Sequence, residues 1–191
     1  YPGENSGTVP ARRSGRGQRR LDIAHGRADH RDDPFLPAGR SASRPPCHGS
    51  RMPSIHDRIL ASFLRQGFMK TLGAELAHVE DGEVHIALPY HAALAQQHGY
   101  LHAGAVATVV DSACGYAALT RSAPGCEVVT AEFKINLMRP AVGERFLAVG
   151  RVQSAGRRLA VCTGEMRAFA GAGEAFKVVA LMQATVVNVD P

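Results

Sequence analysis

Apolar and polar positions along residues 52–191 repeat with two different periods. In "SIHDRILASFLRQGFMKTLG", Ile55, Ile59, Leu60, Phe63 and Leu64 recur at helical spacing, and Ser54 followed by Asp57 three residues on has the form of a capping box. The pattern predicts an amphipathic opening helix. In "GAELAHVEDGEVHIALPY" the period falls to two. Leu76, His78 and Glu80 alternate with Ala77 and Val79, Asp81-Gly82 turns the chain, and Val84, Ile86 and Leu88 resume on the second arm of a hairpin that Pro89 stops. "HAALAQQHGY" reads as a loop. Further on, "EVVTAEFKINLMRPA" puts Val129, Ala131, Phe133, Ile135 and Leu137 on a core face and Thr130, Glu132, Lys134 and Asn136 on a polar one. "GERFLAVGRVQSAGRRLAVCTGEMRAF" gives two more strands joined at residues 154–157, and "EAFKVVALMQATVVNV" a last long one.

Between the hairpin and these strands lies "GYLHAGAVATVVDSACGYAAL", residues 99–119. Its pattern predicts one helix of about 19 residues, roughly 28 Å long. It is rich in Ala and Gly and apolar on nearly every side, and a helix of that kind is buried. Gly104 and Gly115 each cost up to about 1 kcal/mol relative to Ala, so something approaches this helix closely. Runs of strands with segregated helices predict an α+β fold in which an antiparallel sheet wraps one long central helix.

Asp111 stands alone in that apolar run. A carboxylate buried without a partner costs several kcal/mol or is driven neutral, so it needs either a structural excuse or a use. The excuse would be a second helix beginning at "SACGYAA" with Asp111 as its N-cap. The use would be chemistry: Gly104 lies seven residues before Asp111, two turns along one face and about 10 Å away.

Composition divides the chain in two. Residues 1–51 carry ten arginines against five acids, which accounts for the whole formal charge of +5, and residues 52–191 are neutral. The high pI therefore describes the leader. Rich in Gly, Pro, Ser and Arg and without sustained periodicity, the leader reads as a disordered segment. Met52 is the first methionine, directly before the patterned sequence, which suggests vector-derived or upstream-frame residues ahead of a natural start; a functional basic arm is the alternative. Cys47, Cys114, Cys126 and Cys162 show neither disulfide-framework nor zinc-ligand spacing, so no metal and a cytoplasmic location are expected. Residues 103–119 read as too short and too polar to span a bilayer, and no nucleic-acid or membrane partner is expected.

Gln96, Gly99, the triplet His102-Ala103-Gly104 at the start of the central helix, and Asp111 nine residues after His102 together resemble the motif of the hotdog-fold acyl-CoA thioesterases, in particular the phenylacetyl-CoA (PaaI-like) type. "KINLMRPAVGERFLAVGRV" is similar to the strand, Pro-containing turn and strand that follow in that family. Ala103 departs from the family's "HGG" but keeps the backbone N–H that the resemblance makes the oxyanion donor. The resemblance implies a hotdog domain over residues 52–191 that hydrolyses an acyl-CoA to free acid and CoA, with no cofactor beyond the CoA of the substrate. It implies a homo-oligomer, a dimer or a dimer of dimers, with active sites at the dimer seam, where Asp111 meets the partner's Gln96–Gly104 loop.

The first turn of a helix carries unpaired N–H groups and a partial positive charge, so the amide of Ala103, with Gly104, suits a thioester oxygen. Asp111, poorly hydrated, becomes a stronger base or a nucleophile. Gln96 is either an orienting amide or an ordinary loop residue. His102 takes part in the chemistry or simply closes the loop. Thr130 matches the family's hydroxyl beside the carboxylate, although strict alternation sets it on the polar face with Glu132 and Lys134 unless the strand begins irregularly. Arg121, Lys134, Arg139, Arg151, Arg157 and Arg158 are available to CoA phosphates, and the opening and central helices should line an apolar acyl pocket with Phe63, Phe68 and Tyr116. A hydratase on the same fold would need an acid in "LPYHAALAQQHGY", which has none, and a non-catalytic acyl-CoA-binding module would not need Asp111.

Removing residues 1–51 should leave the thermal midpoint of the remaining domain unchanged; a large fall in that midpoint would make the leader structural.

Overall fold

The architecture comes from a computed structural model, which describes residues 53–190; the reading of residues 1–51 lies outside them. α1 (Ile55–Phe63) and α2 (Gly67–Leu72) precede the hairpin of β1 (Glu75–Glu80) and β2 (Glu83–Pro89). A loop with a single 3-10 turn at Ala92–Leu94 leads into α3 (Ala103–Arg121). β3 (Glu127–Leu137), β4 (Arg145–Ala155), β5 (Leu159–Phe169) and β6 (Phe176–Val189) follow. All six strands form one antiparallel sheet in the order β1-β2-β4-β5-β6-β3. The sheet packs on α3, as the α+β reading expects.

The two inner strands β4 and β5 carry the closest contact. Gly150 and Gly164 pair across them, directly beneath α3. A Cβ at Gly150 would lie 2.3 Å from the Ala113 carbonyl carbon, and one at Gly164 would lie 2.5 Å from Val110 Cγ1 and 2.7 Å from Cys114 Sγ. The backbone of α3 thus rests on bare strand backbone. Val109, Val110, Ala113, Cys114 and Ala117 are fully buried there, and Ile86, Ala148, Met166 and Ala180 complete the core around them.

α3 is nevertheless not buried on every side, contrary to the sequence reading. Gly104, Ala107, Thr108, Asp111, Ser112 and Gly115 form a stripe that is only partly covered. Because Gly104, Ala107 and Gly115, half of this stripe, are as small and apolar as the residues on the buried side, hydropathy alone hid the distinction. By length and composition α3 would also suffice to cross a membrane, against the expectation for residues 103–119; in the fold it is the core helix of the sheet.

Two further expectations change. The opening helix is two helices, because Met69 and Leu72 fall outside the Ile59–Phe63 stripe of a continuous helix and reach the core only after the break at residues 64–66. The capping box at Ser54 and Asp57 forms as predicted. Arg58 then ties α1 to the C-terminal end of α3 by donating to the carbonyl oxygens of Leu119 (2.5 Å) and Ser122 (3.3 Å), where a cation also suits the helix dipole. β3, read as a strand with one core face, is instead one of the two edge strands of the sheet. Val129, Phe133 and Leu137 are 56%, 45% and 53% exposed, and only Val128 and Ile135 pack on the core.

Gly150→Ala should destabilise the domain by about 3 kcal/mol, because its methyl meets helix backbone that cannot move aside. Gly67→Ala, with open space around the new methyl, should hold or slightly raise stability. Urea unfolding of both decides this, and an unchanged midpoint for Gly150→Ala would contradict the close seating of α3.

Candidate active site

The seating of α3 on the glycine pair fixes the helix rotation, and with it the direction of Asp111. Asp111 sits mid-helix, so it caps no second helix. It emerges on the partly covered stripe beside β3. There the hydroxyl of Thr130 donates to Asp111 Oδ1 at 2.8 Å. Strict alternation would have turned Thr130 away. Thr130 pairs with Val186 and Glu132 with Thr185, so Ala131 is an extra residue, and this β-bulge puts Thr130 on the helix side with Val128. Partial burial raises the Asp111 pKa, with the Thr130 hydrogen bond opposing that rise. One turn on, burial pushes the Cys114 thiol up, helped by Cys162 and Asp111. Cys114 therefore stays protonated and is no nucleophile.

Asp111 and Thr130 open on a cavity of about 180 Å³, together with Ser112, Gly115 and Tyr116 of α3, Ser62 near the end of α1, Gln66 at the N-cap of α2, and Glu127 and Val128 of β3. The lining is mostly polar, and of the aromatic residues named from sequence only Tyr116 is among it. Phe68 is 59% exposed and contributes nothing to it, and Phe63 supports the Tyr116 ring from behind at 5.8 Å between centroids. Ser62 and Gln66 went unnoticed in the sequence. For Ser62 the signal was position, three residues after Ile59 on the core-facing side of α1; Gln66 lies past the break, at the N-cap of α2, and had none.

The helix N-terminus forms a second, separate feature. His102 is the N-cap of α3, with Nδ1 accepting the Gly104 N–H at 2.9 Å. The Gly104 amide is thereby occupied, whereas Ala103, the first helical residue, has an N–H that no intrahelical carbonyl can take. The preceding loop is pinned on both sides. The His102 N–H donates to Leu94 O at 2.8 Å, the Leu101 N–H to Ala141 O at 3.0 Å and the Gln96 N–H to Tyr100 O at 2.8 Å. Gly99, at φ 80°, supplies the left-handed step. The Gln96 side chain accepts from the His98 N–H at 2.8 Å, which leaves its NH2 group as a donor. Gln96 and Ala103 line a cavity of about 380 Å³ with Tyr100, Val106, Leu137 and Arg139.

Of the six basic residues named from sequence, Arg139 alone lies at either of these two cavities. Arg151 is held by Glu83 at 2.7 and 2.9 Å, and Arg121 by Asp81 at 2.6 Å. Arg157 and Arg158 lie with Arg121 around a different cleft.

One chain therefore does not unite the predicted residues. Asp111 and Thr130 stand together, as do Gln96, His102 and Ala103, but eight residues of helix, about 12 Å, separate Ala103 from Asp111. No single carbonyl group can touch both.

Because folding raises the Asp111 pKa, the native state binds more protons than the unfolded chain between the unfolded and native values, and stability is lost as pH rises through that window. Asp111→Asn should accordingly raise the urea midpoint at pH 7, and the gain should vanish near about pH 3, below the ordinary carboxylate range. Equal midpoints at both pH values would contradict it.

Residues 98–174 match the Thioesterase superfamily. A protein of Saccharolobus solfataricus named as an esterase is 30% identical over 98 residues, which are 51% of this chain and 69% of that protein. One of Halobacterium salinarum, likewise named an esterase, is 33% identical over 85 residues, 41% of this chain and only 55% of that protein's length. The crystal structure of a thioesterase family protein from Silicibacter pomeroyi is 42% identical with a TM-score of 0.70, covering 72% of this chain and 100% of that one. The E. coli PaaI protein from the phenylacetic acid degradation operon, 20% identical with a TM-score of 0.62 over 71% of this chain and 93% of its own, shares the fold. A helix-wrapping antiparallel sheet, a carboxylate held by a hydroxyl on its central helix, and this degree of sequence likeness all agree: the chain belongs to the thioesterase superfamily and has its hotdog fold.

Proposed function

We propose that this protein hydrolyses acyl-CoA thioesters, with Asp111 and the amide of Ala103 contributed to each active site by two different protomers. The observation that carries the reading is Asp111 itself, a partly buried carboxylate with a raised pKa, held by Thr130 through one oxygen and lining a cavity. Families of this kind supply the reaction class, and the residues of this chain supply the parts.

Thioester hydrolysis needs positive charge where the carbonyl oxygen becomes an oxyanion, and a base or nucleophile at the carbonyl carbon. The unpaired Ala103 N–H at the positive end of α3 serves the oxygen. Asp111 serves the carbon, either by taking a proton from water as the C–O bond forms or by attacking directly to give a mixed anhydride that water then cleaves to free acid and the restored carboxylate. In both routes the C–S bond breaks, and the CoA thiolate leaves and takes up a proton. Gln96 can steer water or the carbonyl with its NH2 group, while His102 works indirectly by holding the helix start. Thr130 positions the carboxylate. Arg139 suits a CoA phosphate at the mouth of the cavity that Ala103 lines.

The 12 Å separation is what requires two protomers. A two-fold dimer places the same patch of each chain against the other, so one subunit's Asp111 can face its partner's Ala103. Two features support that surface: the open small-residue stripe of α3 and the apolar side chains exposed on the edge strand β3. On this reading an isolated protomer has no complete site.

Asp111→Asn should lower thioester turnover by at least about a hundredfold while the circular dichroism spectrum is retained. A steady-state screen of acyl-CoAs with thiol detection measures it. Hydrolysis by the variant at the wild-type rate would contradict the mechanism.

A further inference from the structure

The Ala103 amide can hold a thioester oxygen only if the chain leading to it stands still. Residues 90–102 join β2 to α3 with no regular structure beyond the 3-10 turn at Ala92–Leu94. Bonds within the loop make its outer part a single arm: the Gln96 N–H donates to Tyr100 O and the His102 N–H to Leu94 O, on either side of a bridge between Ala95 and Leu101. Gln96 and the start of α3 therefore move with this arm. Backbone holds one side of it, through Leu101 and Ala141. Two side chains that no step of the mechanism uses hold the other. The Tyr90 phenol donates to Gly99 O at 3.0 Å, and Tyr90 is itself tied down by its own N–H, which donates to Glu144 O at 2.9 Å. His91 is the N-cap of the 3-10 turn, its Nδ1 accepting the Ala93 N–H at 3.1 Å. That turn ends at Leu94, whose side chain packs on the core and whose carbonyl receives the His102 N–H at 2.8 Å.

Resting on the thioesterase reading, we infer that Tyr90 and His91 are positioning residues for the oxyanion amide, bracing the arm that carries Gln96 and the His102–Ala103 helix start. Neither lines the cavity that Gln96 and Ala103 share, so they act through the backbone. The path from each is short. From His91 it runs through the capped turn to Leu94 O and on to the His102 N–H, one residue before the donor. From Tyr90 it runs to Gly99, next to Tyr100, whose carbonyl receives the Gln96 N–H. His91 thus does for the turn what His102 does for α3, each offering Nδ1 to the N–H two residues on. Stability does not account for these bonds. Tyr90 and His91 are exposed, and water would satisfy the same carbonyl and amide at little net loss. What the bonds supply is a fixed place for the arm. An oxyanion donor works only within a narrow range of distance, and a misplacement of about 1 Å can cost about a hundredfold in rate.

The test uses the full chain, with hexanoyl-CoA, decanoyl-CoA and benzoyl-CoA as substrates and thiol release as the signal. Tyr90→Phe keeps the ring and removes only the donor, and His91→Ala removes the acceptor. Each should lower kcat by about five- to tenfold with KM within about twofold of wild type, the pattern of a contact that matters in the transition state. His91→Asn returns an acceptor that reaches the N–H two residues on, and should recover at least about half of the wild-type kcat. Urea midpoints of all three variants should match the wild type. Wild-type kcat in both Tyr90→Phe and His91→Ala, a rise in KM alone, or His91→Asn no better than His91→Ala would overturn the role and leave the hydrolase reading standing. So would a kcat restored by raising the protein concentration, which traces the loss to dissociated protomers, or a urea midpoint that falls with kcat. Tyr90→Phe decides alone should His91→Ala fail to fold. Absence of hydrolysis of all three substrates by the wild type would overturn both.

Discussion

The contact between α3 and the glycine pair Gly150–Gly164 sets everything else in the domain. With no side chains on the strands at that point, Val110, Ala113 and Cys114 sit on bare backbone, and a single added methyl would intrude to 2.3 Å. Such a contact admits one rotation of the helix. Asp111, about 100° further round from Val110, is thereby aimed at β3 rather than into the sheet. The same contact determines that Gly104, Thr108, Ser112 and Gly115 look outward. Close packing in the core is thus the reason that a carboxylate can stand in an apolar helix without being swallowed by it.

The edge strand answers that placement. A regular β3 would have presented Glu132 and Lys134 on the same side as Thr130. The extra residue Ala131 breaks the alternation, and the hydroxyl arrives 2.8 Å from the carboxylate. Helix seat and strand bulge together fix a base whose pKa is raised by burial and restrained by one hydrogen bond. Far along the helix, the His102 cap spends the Gly104 amide and leaves the Ala103 amide available. In the proposed enzyme these two ends serve different active sites, which gives the open stripe between them its purpose.

Much of this was legible in the sequence, and the residues show why. Period-two runs and Gly or Pro punctuation located every strand, and the capping box located α1. The isolated acid marked Asp111, and the residues from Gln96 to Gly104 gave the loop and helix start. What stayed hidden depended on register and three-dimensional phase. Ala131 as a bulge leaves no mark in composition, so Thr130 looked outward by alternation. The edge position of β3 follows from the strand order, which local pattern does not encode, so Val129 and Phe133 looked like core. The break between α1 and α2 showed only in the phase of Met69 and Leu72. The polar character of the cavity beside Asp111 went unseen because it comes from Ser62, Gln66 and Glu127, which three separate elements bring together.

The shared-site arrangement can be tested by complementation between two separately disabled chains. Asp111→Asn removes the carboxylate. Ala103→Pro removes the amide hydrogen at a first helical position that proline tolerates, following an extended His102 that suits it. Each variant alone should be inactive. Co-expressed, they should recover about a quarter of wild-type activity, because half of randomly paired dimers are mixed and each mixed dimer keeps one intact site. Activity no greater than that of either variant alone would place both groups in the service of one chain and contradict the account.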